Sequence, residues 1–339
     1  MTGNRMIFWI EKAAGAPVLT LESLVRQWPA QKGIAMPTFN GVRASARSVQ
    51  EAPSETAMAT ATMRALAAHD DRDEIRGADY LAELFLTEDR KAPLKDPAVR
   101  QWVMQNKIAP GAYEFMIART AFFDHVVRDA LVQHVPQLMF LGAGYDTRPY
   151  RFRDLAGQTK IFELDAAPTQ ARKKDVLHRE SIPRPDHLVF APIDFTTDNL
   201  IQVMLEAGFS RDERALFVWE GVTYYLSSKA VDATLRAVRA VSLAGSSICF
   251  DYASLSPEAL SEEGIKKLRE HMKSDHPAEP TKFGIPQGKL TEFLVARGYK
   301  VLEDLGPSEM EANYLTLRDG STVGKPPSLF SLVHASLRN

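Results

Sequence analysis

The sequence has one cysteine, Cys249, among 339 residues. A lone thiol excludes an internal disulfide and a thiolate zinc cluster, and it fits a reducing, cytoplasmic setting. No apolar run approaches the roughly 20 residues that a membrane helix needs. The stretch from Met6 to Ile10 is apolar, but Glu11 and Lys12 stop it short of a signal-peptide core of about 7–15 residues. Nor does one charge dominate: 41 basic residues face 43 acidic ones, whereas a general nucleic-acid binder carries a basic excess. Internal repeats and extended low-complexity tracts are also missing. The 45% of hydrophobic and 25% of charged residues exclude wholesale disorder. The length suits two average domains or one large α/β unit.

Residues 1–53 are interrupted by Pro17, Pro29, Pro37 and Pro53 and read as a poorly defined extension, with Met36 an alternative start. Helical signals begin at Ser54. One helix is expected from Ala57 to His69, and a second from Gly77 to Leu86 with Tyr80, Leu81, Leu84 and Phe85 as its apolar face. A third runs from about Ile117 to His134. In it Phe122, Phe123, Val126, Val127, Ala130 and Leu131 recur at helical spacing, while Asp124, Arg128, Asp129 and Gln133 fall largely on the other face. Pro136 closes this helical unit, 54–135.

The remainder, 136–339, alternates. Apolar runs at Leu138–Leu141, Lys160–Leu164, His187–Ala191, Ala215–Trp219 and Ser247–Phe250 are separated by helices, and Tyr299–Leu305 and Ser328–Ala335 add two further strands. This pattern describes βαβ units in a mostly parallel sheet buried on both faces. Such sheets bind ligands outside the carboxyl ends of their strands, so the residues just after each run matter most. An insertion at about 254–286 is placed to form a wall of the substrate pocket.

The first strand ends in Leu141-Gly142-Ala143-Gly144, a turn that lets a backbone approach a ligand closely or simply turns the chain tightly. The second ends at Asp165, 23 positions beyond Gly142, near the ~20-residue spacing at which an acid bonds ribose hydroxyls. The third ends in Asp194-Phe195, an acid able to accept from an exocyclic amine beside an apolar ring, or a local helix cap. The fourth ends in Glu220-Gly221-Val222-Thr223-Tyr224-Tyr225, with Glu220 and Tyr225 facing the same crevice. Acids gathered in this way are costly unless solvated or hydrogen-bonded, and a hydroxyl-rich, neutral-to-cationic ligand would satisfy them.

The segments Ala118–Asp124, Phe140–Phe152, Phe162–Asp165 and Trp219–Leu226 together resemble the leucine carboxyl methyltransferase family. That family includes phosphatase carboxyl methyltransferases and bacterial and fungal O-methyltransferases of secondary metabolism. The resemblance runs from about Ser54 to the C-terminus, with the segments in family order; residues 1–53 fall outside it. It implies a Rossmann-like class I fold dependent on S-adenosylmethionine: a mostly parallel seven-stranded sheet with helices on both faces, under a helical N-terminal lid. Position by position, it implies that Arg119 binds the methionine carboxylate and that Gly142 contacts the donor through its backbone. Asp165 would hold the ribose, Asp194 and Phe195 the adenine, and Glu220 would lie beside the methionyl amino group. The resemblance also counts Arg64 among the cofactor-binding residues, as the basic residue of the family's first helix, where phosphatase methyltransferases carry lysine. The alternative for Arg119 is a surface charge paired with Asp124 or Glu114. Arg148 is read as bracing the glycine turn through Asp146.

No histidine falls in the strand-end segments, and His125 reads as a partly exposed helical residue. A carboxylate acceptor with a pKa of about 4 is already ionised at pH 7, whereas a phenol near 10 gains from a base. The expected acceptor is a carboxylate or hydroxyl of a small, polyketide-like metabolite, with a protein C-terminal leucine as the alternative. Tyr225 is the candidate for orienting it, packing under the lid being the other reading. His271 and His276 are five apart, on different helical faces, so no metal site is expected. A nicotinamide-dependent dehydrogenase would share the glycine turn and Asp165, but Thr147 stands where its third glycine belongs. A non-catalytic binding protein would have no need of Arg119, Asp165, Asp194 and Glu220 together.

Overall fold

The computed structural model describes residues 49–256 and 282–338. Expectations for the first 48 residues, Met36 included, lie outside them, as do His271, His276 and most of the insertion.

The apolar runs become strands with nearly the expected limits: β1 Gln137–Leu141, β2 Lys160–Asp165, β3 Leu188–Pro192, β4 Ala215–Trp219, β5 Ser247–Leu255, β6 Ile285–Pro286, β7 Tyr299–Leu305 and β8 Phe330–Leu337. The order is β3-β2-β1-β4-β5-β8-β7, with the two-residue β6 beside β5. Strands β1 to β5 pair in parallel, and β8 runs antiparallel between β5 and β7. Seven strands thus form the continuous path of a class I methyltransferase-like sheet. The chain winds from β1 outward to β2 and β3, then returns to lay β4 on β1's other side. The crevice at the β1 and β4 ends is therefore the topological switch point, where such sheets take their ligands.

The longer helices are α1 Glu55–Ala68, α2 Pro97–Lys107, α3 Ala112–Val132, α4 Ala167–Arg179, α5 Leu200–Glu206, α6 Ser228–Val241 and α7 Leu290–Val295. Caps set several starts. Ser54 accepts from the Ala57 amide, Ser227 from Ala230 and Asn199 from Gln202, each satisfying an N–H that the first turn leaves without a partner. Because side chains alternate along a strand, Leu138 and Phe140 join one apolar layer with α1, α3 and α4. Met139 and Leu141 join another with α5, α6 and α7. Among the described residues no helix is long and apolar enough to cross a membrane.

The helical unit departs from expectation in four places. Only a short 3-10 turn, Ala82–Phe85, forms within the segment expected to be a helix from Gly77 to Leu86. The Gly77 amide bonds the Ala67 carbonyl at 2.9 Å, folding the chain back on the end of α1, and Tyr80 is 65% exposed rather than part of an apolar face. Helix α2 was not anticipated. It starts with Asp96 accepting from the Ala98 and Val99 amides and Pro97 in its first turn. Helix α3 begins five residues before Ile117, after Gly111 at φ +80°, and Asp124 on it is buried, 9% exposed.

Candidate active site

The β1 turn approaches the β4 loop as closely as side chains allow. Gly142 has φ +76°, and a Cβ there would stand 2.6 Å from Val222 Cγ2. Gly221, at φ +72°, would place its Cβ 3.3 Å from the Arg119 guanidinium. Gly142→Ala is accordingly expected to cost about 2–4 kcal/mol, from the left-handed backbone and the overpacking together. Adding Val222→Ala should recover only the packing part; urea unfolding of both variants checks the split.

Asp165 ties the second strand end to this turn. Its Oδ2 accepts from the Gly144 amide at 2.5 Å and its Oδ1 from Ala166 at 2.7 Å. The Gly142 and Ala143 amides both bond the Leu164 carbonyl, so the β1 and β2 ends form one rigid unit. Asp194 is linked to it through the backbone, by the Ile193 amide on the Asp165 carbonyl at 3.0 Å. The Asp194 carboxylate accepts from the Thr196 amide at 2.8 Å and hydroxyl at 2.6 Å, and these bonds hold it below the ordinary carboxylate range. It closes its own loop and leaves the capping of α5 to Asn199. Phe195 packs, half-buried, on the layer under α5 and α6.

Two buried guanidinium groups organise the rest. Arg119 is 3% exposed. Its Nη1 donates to Asp251 Oδ2 at 3.0 Å and to the Tyr224 hydroxyl at 3.4 Å, and its Nη2 meets the Met116 thioether at 3.4 Å. The Nε lies 3.1 Å from Glu220 Oε1, but not in hydrogen-bond geometry, so that buried N–H lacks an acceptor. Arg119 is therefore neither at the surface nor paired with Asp124 or Glu114. Burial alone would lower its pKa; Glu220, Tyr224 and Asp251 outweigh this and raise it. Arg148 reaches Asp124 Oδ1 at 2.7 Å, Asp146 Oδ2 at 2.6 Å and Glu220 Oε2 at 2.7 Å. It braces the glycine turn as expected, and it also fastens that turn to α3 and to the β4 loop.

Arg64 acts on the same turn from α1. Its Nε pairs with Asp79 Oδ2 and its Nη2 donates to the Tyr145 carbonyl, both at 2.8 Å. Asp79 in turn accepts from the Thr147 hydroxyl at 2.6 Å. Arg151 holds Asp124 through both terminal nitrogens, at 2.7 and 2.8 Å. Asp124, read from helical spacing as facing outward, is thus a buried acceptor for two arginines. Tyr225 packs its ring edge-on to Tyr224 at 4.7 Å. His125 is exposed and pairs with Asp129 at 3.5 Å.

Of the sequence-chosen residues, Arg64, Arg119, Gly142, Asp165 and Glu220 join one contiguous set. Asp194 and Phe195 border it through β2, and Tyr225 through Tyr224. Asp79, Asp124, Asp251 and Tyr224 were missed; the acids sit inside a loop, a helix and a strand, where sequence alone shows nothing to pair them. An open groove of about 630 Å³ along α4, lined by Pro168, Arg172 and His178 with Pro53, contains none of the chosen residues.

The leucine carboxyl methyltransferase family model matches residues 57–239. A Bacillus subtilis protein provisionally named S-adenosyl-L-methionine-dependent methyltransferase YktD is 28% identical over 238 residues, which is 70% of this chain and 74% of its own length. A protein of Mycobacterium sp. (strain JLS) with the same provisional naming is 35% identical over 160 residues, spanning 47% of this chain and 50% of the relative. A DUF574-family protein structure from Streptomyces avermitilis aligns with a TM-score of 0.50 at 13% identity, covering 86% of this chain and 100% of that one, a likeness of fold alone. The family match takes in nearly all of α1, the glycine turn, the acids of the next three strand ends and nearly all of α6. The chain therefore belongs to the leucine carboxyl methyltransferase family and is an S-adenosylmethionine-dependent methyltransferase.

Proposed function

We propose that the protein transfers a methyl group to a carboxylate or hydroxyl of a small, polyketide-like metabolite, in the cytoplasm. Residues 54–135 serve as a lid over the core, 136–339. The observation that carries the site assignment is the juxtaposition of Arg119 and Glu220, 3.1 Å apart, beside a glycine turn bonded to Asp165. This donor set fits the cofactor: a buried guanidinium N–H lacking an acceptor suits a carboxylate, and the carboxylate next to it suits an ammonium.

In this reading Arg119 takes the methionyl carboxylate and Glu220 the amino group. The Gly142 backbone lies along the donor, Asp165 accepts from the ribose hydroxyls, and Asp194 and Phe195 hold the adenine. A carboxylate oxygen has two lone pairs, so Asp165 can accept from a ribose as well as from the Gly144 amide. Arg64 acts at one remove, fixing the Tyr145 carbonyl and so the shape of the turn. When bound, S-adenosylmethionine supplies a methyl group already activated on sulfonium, which leaves the chain to align the acceptor oxygen and exclude water. Tyr225 orients that oxygen. The loops after β1 to β4 offer no histidine as a general base, which favours an acceptor already ionised at neutral pH.

The test has two arms. Titration calorimetry should show S-adenosylhomocysteine binding in the micromolar range and NAD not binding. Tritiated methyl donor added to extract of the source cells, with the purified enzyme, should label the small-molecule fraction. Label confined to protein would overturn the acceptor assignment in favour of a C-terminal leucine carboxylate.

A further inference from the structure

Asp251 is a carboxylate in the middle of a strand. It stands in β5 between Phe250 and Tyr252, is paired in register with Leu332 of β8, and has no exposed surface. A charge in such a place is costly unless it is paired and hydrogen-bonded. Its two oxygens are divided between two elements. Oδ1 accepts from the Gly221 amide at 2.7 Å, and Oδ2 accepts from Arg119 Nη1 at 3.0 Å, with the Tyr224 hydroxyl donating at 3.4 Å. One carboxylate therefore holds both the loop that carries Glu220 and the helix that carries Arg119.

The division of Arg119's nitrogens gives this arrangement its meaning. Asp251 and Tyr224 occupy Nη1. The opposite edge, Nε with Nη2, is the side on which a guanidinium binds a carboxylate through two parallel bonds. On that edge Nε has no acceptor and Nη2 has only the Met116 thioether. Glu220, 11% exposed in its side chain, also answers to Arg148 at 2.7 Å. Glu220 is thus the carboxylate that can change partner, whereas Asp251 stays with Arg119.

We propose that Asp251, aided by Tyr224, is a positioning residue that anchors Arg119 by Nη1 and so presents its Nε–Nη2 edge to the cofactor's carboxylate. This rests on the site reading above. The binding of two ligands that differ only at the amino-acid end separates the two claims: S-adenosylhomocysteine, and 5′-methylthioadenosine, which keeps the nucleoside and thioether but lacks that end. Calorimetry on the full chain is the readout. Asp251→Asn should weaken S-adenosylhomocysteine by about 10–30-fold, the scale of a hydrogen bond to a charged group, while 5′-methylthioadenosine changes by less than about threefold. Equal loss for both ligands, or no loss for either, overturns the proposal. Arg119→Lys serves as the control for the underlying reading. If it too loses S-adenosylhomocysteine selectively while Asp251→Asn does not, only the positioning claim falls. If Arg119→Lys leaves both ligands unchanged, the Arg119 assignment itself fails. Should Asp251→Asn not fold, Tyr224→Phe keeps the test alive: it should cost S-adenosylhomocysteine about threefold and spare 5′-methylthioadenosine, and the absence of that selectivity overturns the proposal equally.

Discussion

Arg148→Met should lower the unfolding free energy by about 3–5 kcal/mol at pH 7, the range for removing one partner of a buried ion pair. Arg148 is 3% exposed, and three carboxylates depend on it, those of Asp124, Asp146 and Glu220. Methionine fills much of the volume and supplies no donor, so three largely buried acids are left short of their cation. Asp124 keeps Arg151, which limits the loss to that range rather than more. The pH dependence identifies the cause. Burial alone would raise the Asp146 carboxyl, and Arg148 outweighs burial to hold it below its ordinary value; for Asp124 Arg148 and Arg151 do the same. Groups depressed in the folded state contribute stability that is complete above the unfolded pKa of about 3.9 and is lost as pH falls through the folded value. The variant lacks this contribution. Without Arg148, burial leaves the Asp146 carboxyl raised instead, so the deficit in urea unfolding should be small near pH 3 and grow as pH rises through the acid range towards neutral. A deficit of equal size at pH 3 would point to lost packing, Arg148 also lying 5.6 Å from the centre of the Phe123 ring.

The sheet was legible because each buried parallel strand is a short apolar run closed by a turn, and several of the intervening helices carry their own start, as Ser227 does for α6. The position of Asp165, an acid that closes a strand at a set distance from a glycine turn, was legible for the same reason. The residues that hold the site together were not. Asp251 looked like the end of a strand, yet β5 continues to Leu255, because Arg119, 132 positions away in sequence, satisfies the charge. Asp124 fell on the polar side of a periodic helix. Helix α3 nevertheless has buried residues around much of its circumference, and Arg148 and Arg151 draw Asp124 inward. Helix α2 had a readable start in Asp96-Pro97, which went unused. The supposed helix from Gly77 to Leu86 failed because Asp79 is committed to Arg64 and Thr147. Local patterns report burial and turns; they do not report which distant charge will pay for a buried one.

Lys173→Met is the second substitution with a large expected cost, and that cost should also rise with pH, but over a higher range. Lys173 on α4 and Glu163 on β2 are both completely buried, 2.7 Å apart. Glu163 Oε1 has no partner, nor has the Oε1 of neighbouring Gln170. Burial pushes the Glu163 carboxyl up to about 7 even with Lys173 pulling it down. An acid raised in the folded state takes up a proton on folding, so its contribution is most favourable below the unfolded pKa of about 4.3 and is lost as pH rises toward the folded value. Removing the ammonium raises that folded value further. The variant can then relieve itself by protonating Glu163 in mildly acidic and neutral solution, and it loses this relief as the medium becomes alkaline. The expected deficit is about 1–2 kcal/mol at pH 6, rising to about 3–5 kcal/mol at pH 9, where the carboxylate would have to stay buried and unpaired. Glu163→Gln combined with Lys173→Met removes both charges, and the pH slope of the difference from wild type should then reverse, the double variant gaining on the wild type between pH 5 and pH 7. Chemical unfolding of the single and double variants across pH 5 to 9 decides it: a single-variant deficit independent of pH would mean that Glu163 is not the group left in need of a proton.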